Sequence, residues 1–183
     1  MDTTTAIVLT IIVVAALAVL AYVYFTEQKT KRLRSRFGPE YSRTIEETGD
    51  RRRAEERLEK RAKRVEALSI HPLRPEERER YVASWRRIQT EFVDNPKSAV
   101  TRADELLGEV MAAQGYPMSD FDQRSADLSV EHPVVVQNYR SAHDIALRHR
   151  KGDATTEDLR QAMIHYRTLF DELAAPELAR AHH

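Results

Sequence analysis

The chain has 183 residues, a mass of 21.1 kDa and equal numbers of basic and acidic side chains, 29 of each. This length suits one modest domain, and the absence of cysteine from the sequence excludes disulfide frameworks, thiolate metal sites and thiol catalysis. The charge is unevenly placed. Residues 1–64 contain 14 basic and 9 acidic side chains, whereas residues 65–183 contain 15 and 20. The sequence therefore joins a basic N-terminal third to an acidic remainder.

Residues 6–25 form an almost uninterrupted apolar segment, in which Thr10 is the only polar residue. Twenty helical residues at about 1.5 Å each cover the roughly 30 Å hydrocarbon core of a bilayer. Two tyrosines and a phenylalanine stand near its end, where aromatic side chains favour the membrane interface. We therefore predict a single transmembrane helix over 6–25, preceded by a short extracytoplasmic N-terminus, residues 1–5.

A cleaved secretory signal is the competing interpretation of this segment. Such signals have a basic N-terminal region, an apolar stretch of about 7–15 residues and a small-residue cleavage site. The residues before position 6 include no Lys or Arg, and the apolar run continues well beyond the Ala-Leu-Ala triplet at 16–18. An uncleaved signal-anchor fits this pattern better. If cleavage does occur, the alternative is a secreted or envelope binding module.

Basic residues dominate the eleven positions after the apolar segment, where Glu27 is the single acidic residue. The basic residues are Lys29, Lys31, Arg32, Arg34 and Arg36. Lys and Arg beside a membrane span are retained on the cytoplasmic side, so we expect the N-terminus outside and residues 26–183 in the cytosol. The same group is predicted to bind the membrane surface, at about 1 kcal/mol per charge on anionic headgroups.

A charged segment over 46–68, which we name the stalk, follows the helix-breaking pair at 38–39. Small and aliphatic residues recur in the stalk at spacings of 3 and 4, which predicts a helix with a thin apolar stripe. The stripe consists of Ala54, Leu58, Ala62, Val65 and Leu68. We expect a solvated helix, with the basic segment and the stalk together covering 26–69. A short coiled-coil homodimer through the stripe is the alternative.

Residues 70–175 contain helical periodicity, and Pro and Gly fall between the periodic segments rather than within them. Pro75 is placed to open the first helix, Asn95 to cap the second and Gly115 to end it. Thr155 and Asp158 resemble a capping box at the start of the last helix. This pattern predicts an all-α bundle of about five helices. A C-terminal tail, 176–183, is expected to follow.

The periodicity also predicts which faces of these helices are buried. For the first helix the expected core residues are Tyr81, Trp85, Ile88 and Phe92, and for the second Ala99, Ala103, Leu106, Leu107, Val110 and Met111. The helix near 133–150 is expected to bury Val136, Tyr139, His143, Ala146 and Leu147. The last helix has the cleanest stripe: Leu159, Ala162, Met163, Tyr166, Phe170 and Leu173.

The sequence contains no motif from which we assign a catalytic residue, a cofactor or a metal ligand. His143 and His149 are six residues apart, so they point in different directions on a helix. We interpret His143 as a structural, half-buried imidazole; a helical enzyme, for instance a hydrolase, with its site near His143 is the alternative. Nucleic acid is not an expected partner, because acidic residues interrupt the basic runs and no aromatic platform accompanies them.

Several motifs across residues 35–173 are familiar as a set. They include FGPEY at 37–41, GYP at 115–117, RSADLSVEHP at 124–133 and HYR at 165–167. Together they resemble a recurrent bacterial family of short, single-span membrane proteins of unassigned function. The resemblance implies a bacterial inner-membrane protein, and it brings no reaction, cofactor or site residue.

These observations together predict a bacterial inner-membrane protein that displays a compact helical domain in the cytosol. We expect the domain to act as a non-catalytic interaction or adaptor module. Its expected partners are the lipid bilayer and a protein whose identity the sequence does not indicate.

Overall fold

A computed structural model describes residues 3–174, and within them the chain forms eight helices and no strand. The helices are α1 (Thr3–Phe37), α2 (Pro39–Thr48), α3 (Arg51–Glu66), α4 (Pro75–Asp94), α5 (Pro96–Ala113), α6 (Phe121–Glu131), α7 (Val136–Arg150) and α8 (Thr156–Ala174). The all-α prediction is therefore confirmed. The predicted tail, 176–183, lies outside the described residues, as do the first two residues of the predicted N-terminal segment.

The apolar segment and the basic residues after it belong to one continuous helix, α1. Within the described part of the chain, the stretch Ile11–Phe37 is long and apolar enough to cross a membrane, a property that a signal sequence would share. Apolar side chains along it, such as Leu20 and Phe25, are about two-thirds exposed. The helix continues past the predicted end of the span, because no helix-breaking residue occurs before the Gly-Pro pair at 38–39.

The chain divides into two compact units between Glu59 and Lys60, within α3. In the N-terminal unit the buried carboxylate of Glu55 on α3 accepts three hydrogen bonds. The donors are Thr30 Oγ1 of α1 at 2.7 Å, Tyr41 Oη of α2 at 2.8 Å and Arg51 Nε of α3 at 3.1 Å. One charged group therefore connects three helices that are consecutive in the sequence.

The stalk is helical over Arg51–Glu66, as predicted, but its apolar stripe is not solvated. Ala54, Leu58, Ala62 and Val65 are buried, and Leu68 is half-buried. The prediction of a solvated stalk is therefore wrong for this face. The aliphatic side chains of the stripe pack against other parts of the chain because removing apolar surface from water is favourable. In the described chain the stripe is covered without a second copy, and the homodimer through it stays a prediction.

The boundary between the units differs from the predicted one, which separated the stalk from the bundle at 69–70. The last residues of α3 belong to the C-terminal unit. There Arg64 Nε of α3 lies 3.2 Å from Asp127 Oδ1 of α6, and this aspartate is almost fully buried. Because a buried carboxylate is stabilised by a cationic partner, the ion pair joins the end of the stalk helix to the bundle.

The bundle consists of the five predicted helices, α4 to α8. The α5 helix packs against α4, α7 and α8, while α7 packs against α6 and α8. The predicted apolar faces of α5 and α8 are buried throughout, and on α4 only Phe92 is half-buried instead of buried. An aromatic pair connects α4 to α8, since Trp85 of α4 stacks on Phe170 of α8 with ring centroids 4.9 Å apart.

The predicted inward face of α7 needs a correction. Val136, Tyr139 and Ala146 are buried and His143 is half-buried, as expected, but Leu147 is exposed. Ala142 and Ile145, which were not predicted, are buried. The reason is that α7 contacts three helices, α5, α6 and α8, so its buried face is decided by their arrangement and not by its own periodicity alone.

Side-chain caps set the helix starts that the sequence predicts. Asn95 Oδ1 accepts a hydrogen bond from the Ser98 amide at 3.2 Å at the start of α5. Before α8, the Asp158 amide donates to Thr155 Oγ1 at 3.1 Å and the Thr155 amide donates to Asp158 Oδ2 at 2.8 Å. These bonds satisfy amides that have no partner within a helix, so the caps are confirmed.

Gly115 allows the chain before α4 to pass over the end of α5. Its φ is +95°, and a Cβ atom at this position would lie 2.5 Å from the carbonyl oxygen of Ser69. The segment is held there by a hydrogen bond from the His71 amide to the Gln114 carbonyl oxygen at 2.9 Å. Glycine is therefore required at position 115 for two reasons: its φ is positive, and a side chain would collide with the backbone of Ser69.

Replacing Gly115 with alanine should destabilise the protein, and Gly152→Ala provides a matched comparison. Gly152 has φ +85° with nothing within 4 Å of an added Cβ, so its substitution introduces only backbone strain, about 1 kcal/mol. Gly115→Ala adds a backbone clash, and we expect a loss of about 1–3 kcal/mol. Denaturant unfolding of the purified full chain in detergent measures both. Equal losses in the two variants would contradict the role assigned to the contact with Ser69.

A second prediction concerns Glu55. Burial by itself raises the pKa of this carboxyl, but the hydrogen bonds from Thr30, Tyr41 and Arg51 outweigh burial and hold the pKa below its usual 4.5. Because the folded pKa is depressed, the stabilisation is present above pH 4.5 and is lost as the pH falls through the folded pKa. We expect Glu55→Gln to lower the unfolding free energy at pH 7 by about 1–3 kcal/mol, and by less near pH 3.

The control for this prediction is Glu56→Gln. Glu56 is exposed and pairs with Arg52 on the surface of α3, so its substitution should leave the stability almost unchanged at both pH values. A loss in Glu55→Gln that is the same at pH 3 and pH 7 would show that the charge of Glu55 is not what connects the helices.

Candidate functional site

The five basic residues predicted to bind the membrane surface all lie on the last turns of α1, but their side chains differ in exposure and in their contacts with the rest of the protein. Lys29 Nζ forms an ion pair with Glu59 Oε2 at 2.9 Å, and the Arg34 guanidinium lies 5.4 Å from the centre of the Tyr41 ring. Arg36 is half-buried, whereas Lys31 and Arg32 are exposed. Part of the basic group therefore also stabilises the N-terminal unit.

His143, the centre of the alternative enzyme hypothesis, lies against an aromatic ring. The imidazole stacks on Phe121 of α6 with ring centroids 3.6 Å apart and an interplanar angle of 6°. Phe121 in turn contacts the ring of Tyr139, with centroids 4.8 Å apart. Burial lowers the pKa of His143, although the nearby Asp104 opposes this effect. The side chain is therefore a neutral, packed imidazole at pH 7.

Besides burial, four charged groups act on the pKa of His143: Asp104 and Asp144 raise it, whereas Arg124 and Arg150 lower it. The carboxylate of Asp104 also acts on two buried tyrosines. Tyr166 Oη donates a hydrogen bond to Asp104 Oδ1 at 3.0 Å, which connects α8 to α5. Burial, together with the negative charge of Asp104, raises the pKa of both Tyr139 and Tyr166. Both phenols are thus protonated at any physiological pH, and neither can act as a base. Sequence reasoning missed the pair of Asp104 and Tyr166, which are 62 positions apart and share no local motif.

Two other histidines contribute contacts between helices. His165 Nδ1 of α8 lies 2.8 Å from Asn138 Oδ1 of α7. His132, at the end of α6, has Nδ1 3.1 Å from Glu172 Oε1 of α8. Among residues 3–174, no group of three or more His, Cys, Asp or Glu side chains could hold a metal ion.

A groove lies on the surface of the bundle between α4 and α8, and we name it the α4–α8 groove. Its volume is about 180 Å³, and it is lined by Gln89, Phe92, Arg160, Met163, Ile164 and Arg167. Phe92 is half-buried, Met163 is buried and Ile164 is 44% exposed, so the floor is apolar and accessible. The two arginines stand on the α8 side. Sequence reasoning assigned Phe92 and Met163 to the core and did not identify this groove.

Comparisons of the chain with protein-family models, with curated proteins and with solved structures find no match. The resemblance to a bacterial family of single-span membrane proteins therefore stays a prediction.

The structural role of His143 predicts a particular pH dependence. Because its folded pKa is lowered, protonation favours the unfolded chain, and stability should fall as the pH drops below the unfolded pKa near 6.5. His143→Phe preserves a ring against Phe121 and removes this titration, so its melting temperature should fall less than that of the wild type between pH 7.5 and 5.5. His143→Ala removes the ring and should lose about 1 kcal/mol or more at pH 7.5.

The control for this series is His71→Gln, since His71 is exposed. This variant should show the pH dependence of the wild type when thermal unfolding is followed by circular dichroism. A wild-type pH dependence in His143→Phe would mean that other groups cause the effect, and that the imidazole does not titrate as its burial implies.

Proposed function

We propose that this protein is a membrane-anchored helical interaction module. In this proposal α1 holds the protein in a bacterial inner membrane, with its N-terminus outside and the bundle in the cytosol. The bundle meets a protein partner and carries out no reaction of its own. The lipid bilayer is the second partner, through α1 and the basic residues that follow its apolar part.

The anchor is supported by the surface of α1. Its apolar side chains are exposed along the helix, as suits contact with lipid rather than with water. The basic residues come after the apolar part, and this asymmetry favours a cytosolic C-terminal domain. Lys31 and Arg32 are exposed and suit anionic headgroups at the inner leaflet.

The α4–α8 groove is the observation that carries the interaction role. Phe92 is half-buried and Ile164 is 44% exposed, so two large apolar side chains of the groove are accessible from solvent next to each other. A concave apolar surface with a polar rim is typical of sites that bind another protein. The rest of the bundle core is closed around α5 and α8, so the groove is a local surface feature and not a sign of loose packing.

A photo-crosslinking experiment in bacterial membranes tests this proposal. A photoreactive amino acid is placed at Ile164, within the groove, or at Val134, which is 70% exposed between α6 and α7. We expect a discrete protein adduct from position 164 and none from position 134. Equal labelling at both positions, or no adduct at either, would contradict an interaction site in the groove.

The same membranes test the orientation. Protease added to inverted vesicles should digest the chain beyond α1, while right-side-out vesicles should protect it. Digestion only in right-side-out vesicles would place the bundle on the outer side. Release of the bundle as a soluble fragment without α1 would instead indicate a cleaved signal and an envelope binding module.

A further inference from the structure

We infer that the α4–α8 groove binds an acidic segment of a protein partner through one large apolar side chain that enters the groove between flanking carboxylates. This inference rests on the proposed function and specifies the chemistry of the partner. It is carried by the shape of the groove, by its apolar floor and by the charge of its rim.

The shape follows from how α4 and α8 meet. The helices run antiparallel, because Trp85 of α4 lies on Phe170 of α8, while Phe92, two turns later, lies across from Met163, two turns earlier. The ring stack joins the middle of α4 to the last turns of α8. Towards the end of α4 the helices leave a gap between them, and this gap is the groove.

The size of the groove limits what can occupy it. Pockets for whole small-molecule ligands usually have volumes of about 300–1,000 Å³. The α4–α8 groove has about 180 Å³ and suits a single side chain. Its floor consists of Phe92, Met163 and Ile164, which offer an aromatic ring, a thioether and an aliphatic chain. Such a floor favours a large apolar anchor such as Leu, Phe or Met, because the anchor removes its apolar surface from water when it enters the groove.

The rim determines the charge of the partner. Among the residues that line the groove, Arg160 and Arg167 are charged and both are basic. Each has a local carboxylate partner on α8. Arg160 donates two hydrogen bonds to Glu157, at 2.8 and 2.7 Å, and Arg167 Nε lies 3.5 Å from Asp171 Oδ2.

These local pairs do not prevent binding of an acidic segment. Both arginines are more than half exposed. The pair of Arg167 with Asp171 is a single, long contact, so an incoming carboxylate can replace Asp171 at small cost. The pair of Arg160 with Glu157 is bidentate and is the stronger of the two. Glu157 then acts as a competitor for the partner, which makes its removal a sensitive test of the proposal.

The test is a fluorescence polarisation measurement with the full chain in detergent micelles. The probe is a fluorescein-labelled peptide that has one central Phe with four Glu on each side. Two control peptides have Ala in place of the Phe, or Lys in place of every Glu. We expect saturable binding of the probe that weakens as salt is added, and at least about tenfold weaker binding of both control peptides.

Variants of the protein then locate the binding site. Ile164→Glu and Arg167→Glu should each weaken binding of the probe about tenfold or more. Glu157→Gln should tighten it severalfold, because Arg160 loses its local partner. Val134→Glu is the matched control, since it adds the same negative charge to an exposed apolar position outside the groove and should leave binding unchanged.

Several results would overturn the inference. The first is that the probe does not bind, and the second is that the Lys peptide binds as tightly as the probe. The third is that Ile164→Glu and Val134→Glu weaken binding equally, because the probe would then bind to other basic residues, such as those of α1. The proposed function is tested by a different experiment, because it depends on the photo-crosslinked adduct at position 164. An adduct in membranes without probe binding would leave the interaction module in place and refute the acidic partner.

Discussion

Burial of the apolar face of α8 is the interaction on which the bundle depends. This helix packs against α4, α5 and α7, and its stripe supplies residues to the core along its whole length. Polar contacts at its edges then set its position, since Asp104, Asn138 and the end of α6 all bind side chains of α8. Because apolar burial is the largest favourable contribution to folding, the other helices take their places around this one.

The same packing explains why the bundle has a groove on one side. Of the neighbours of α8, α5 and α7 share long contacts with it, whereas the contact with α4 is smaller and includes the stack of Trp85 on Phe170. Two turns from this stack, the side chains of Phe92, Met163 and Ile164 line the groove without closing it. The accessible floor and the basic rim are therefore a direct consequence of how the core is arranged.

The N-terminal unit is held by a different kind of interaction. Its centre is a carboxylate, that of Glu55, with donors from three helices, and a lysine and an arginine of the basic segment also bind α3 and α2. Part of the basic group after the apolar segment therefore holds the end of α1 to the two helices that follow it, whereas Lys31 and Arg32 are exposed.

The sequence by itself determined the features that depend on neighbouring residues. The apolar run before the basic residues, the caps at Asn95 and Thr155, the stop at Gly115 and the stripes of α5 and α8 all follow from periodicity and local hydrogen bonding. Only the tertiary structure decided the burial of the stalk stripe, the rotation of α7 that exposes Leu147, the pairing of Asp104 with Tyr166 and the α4–α8 groove. These features join residues that are distant in the chain. A helical stripe indicates that a face will be buried, but only the arrangement of the partner helices decides how completely and against what.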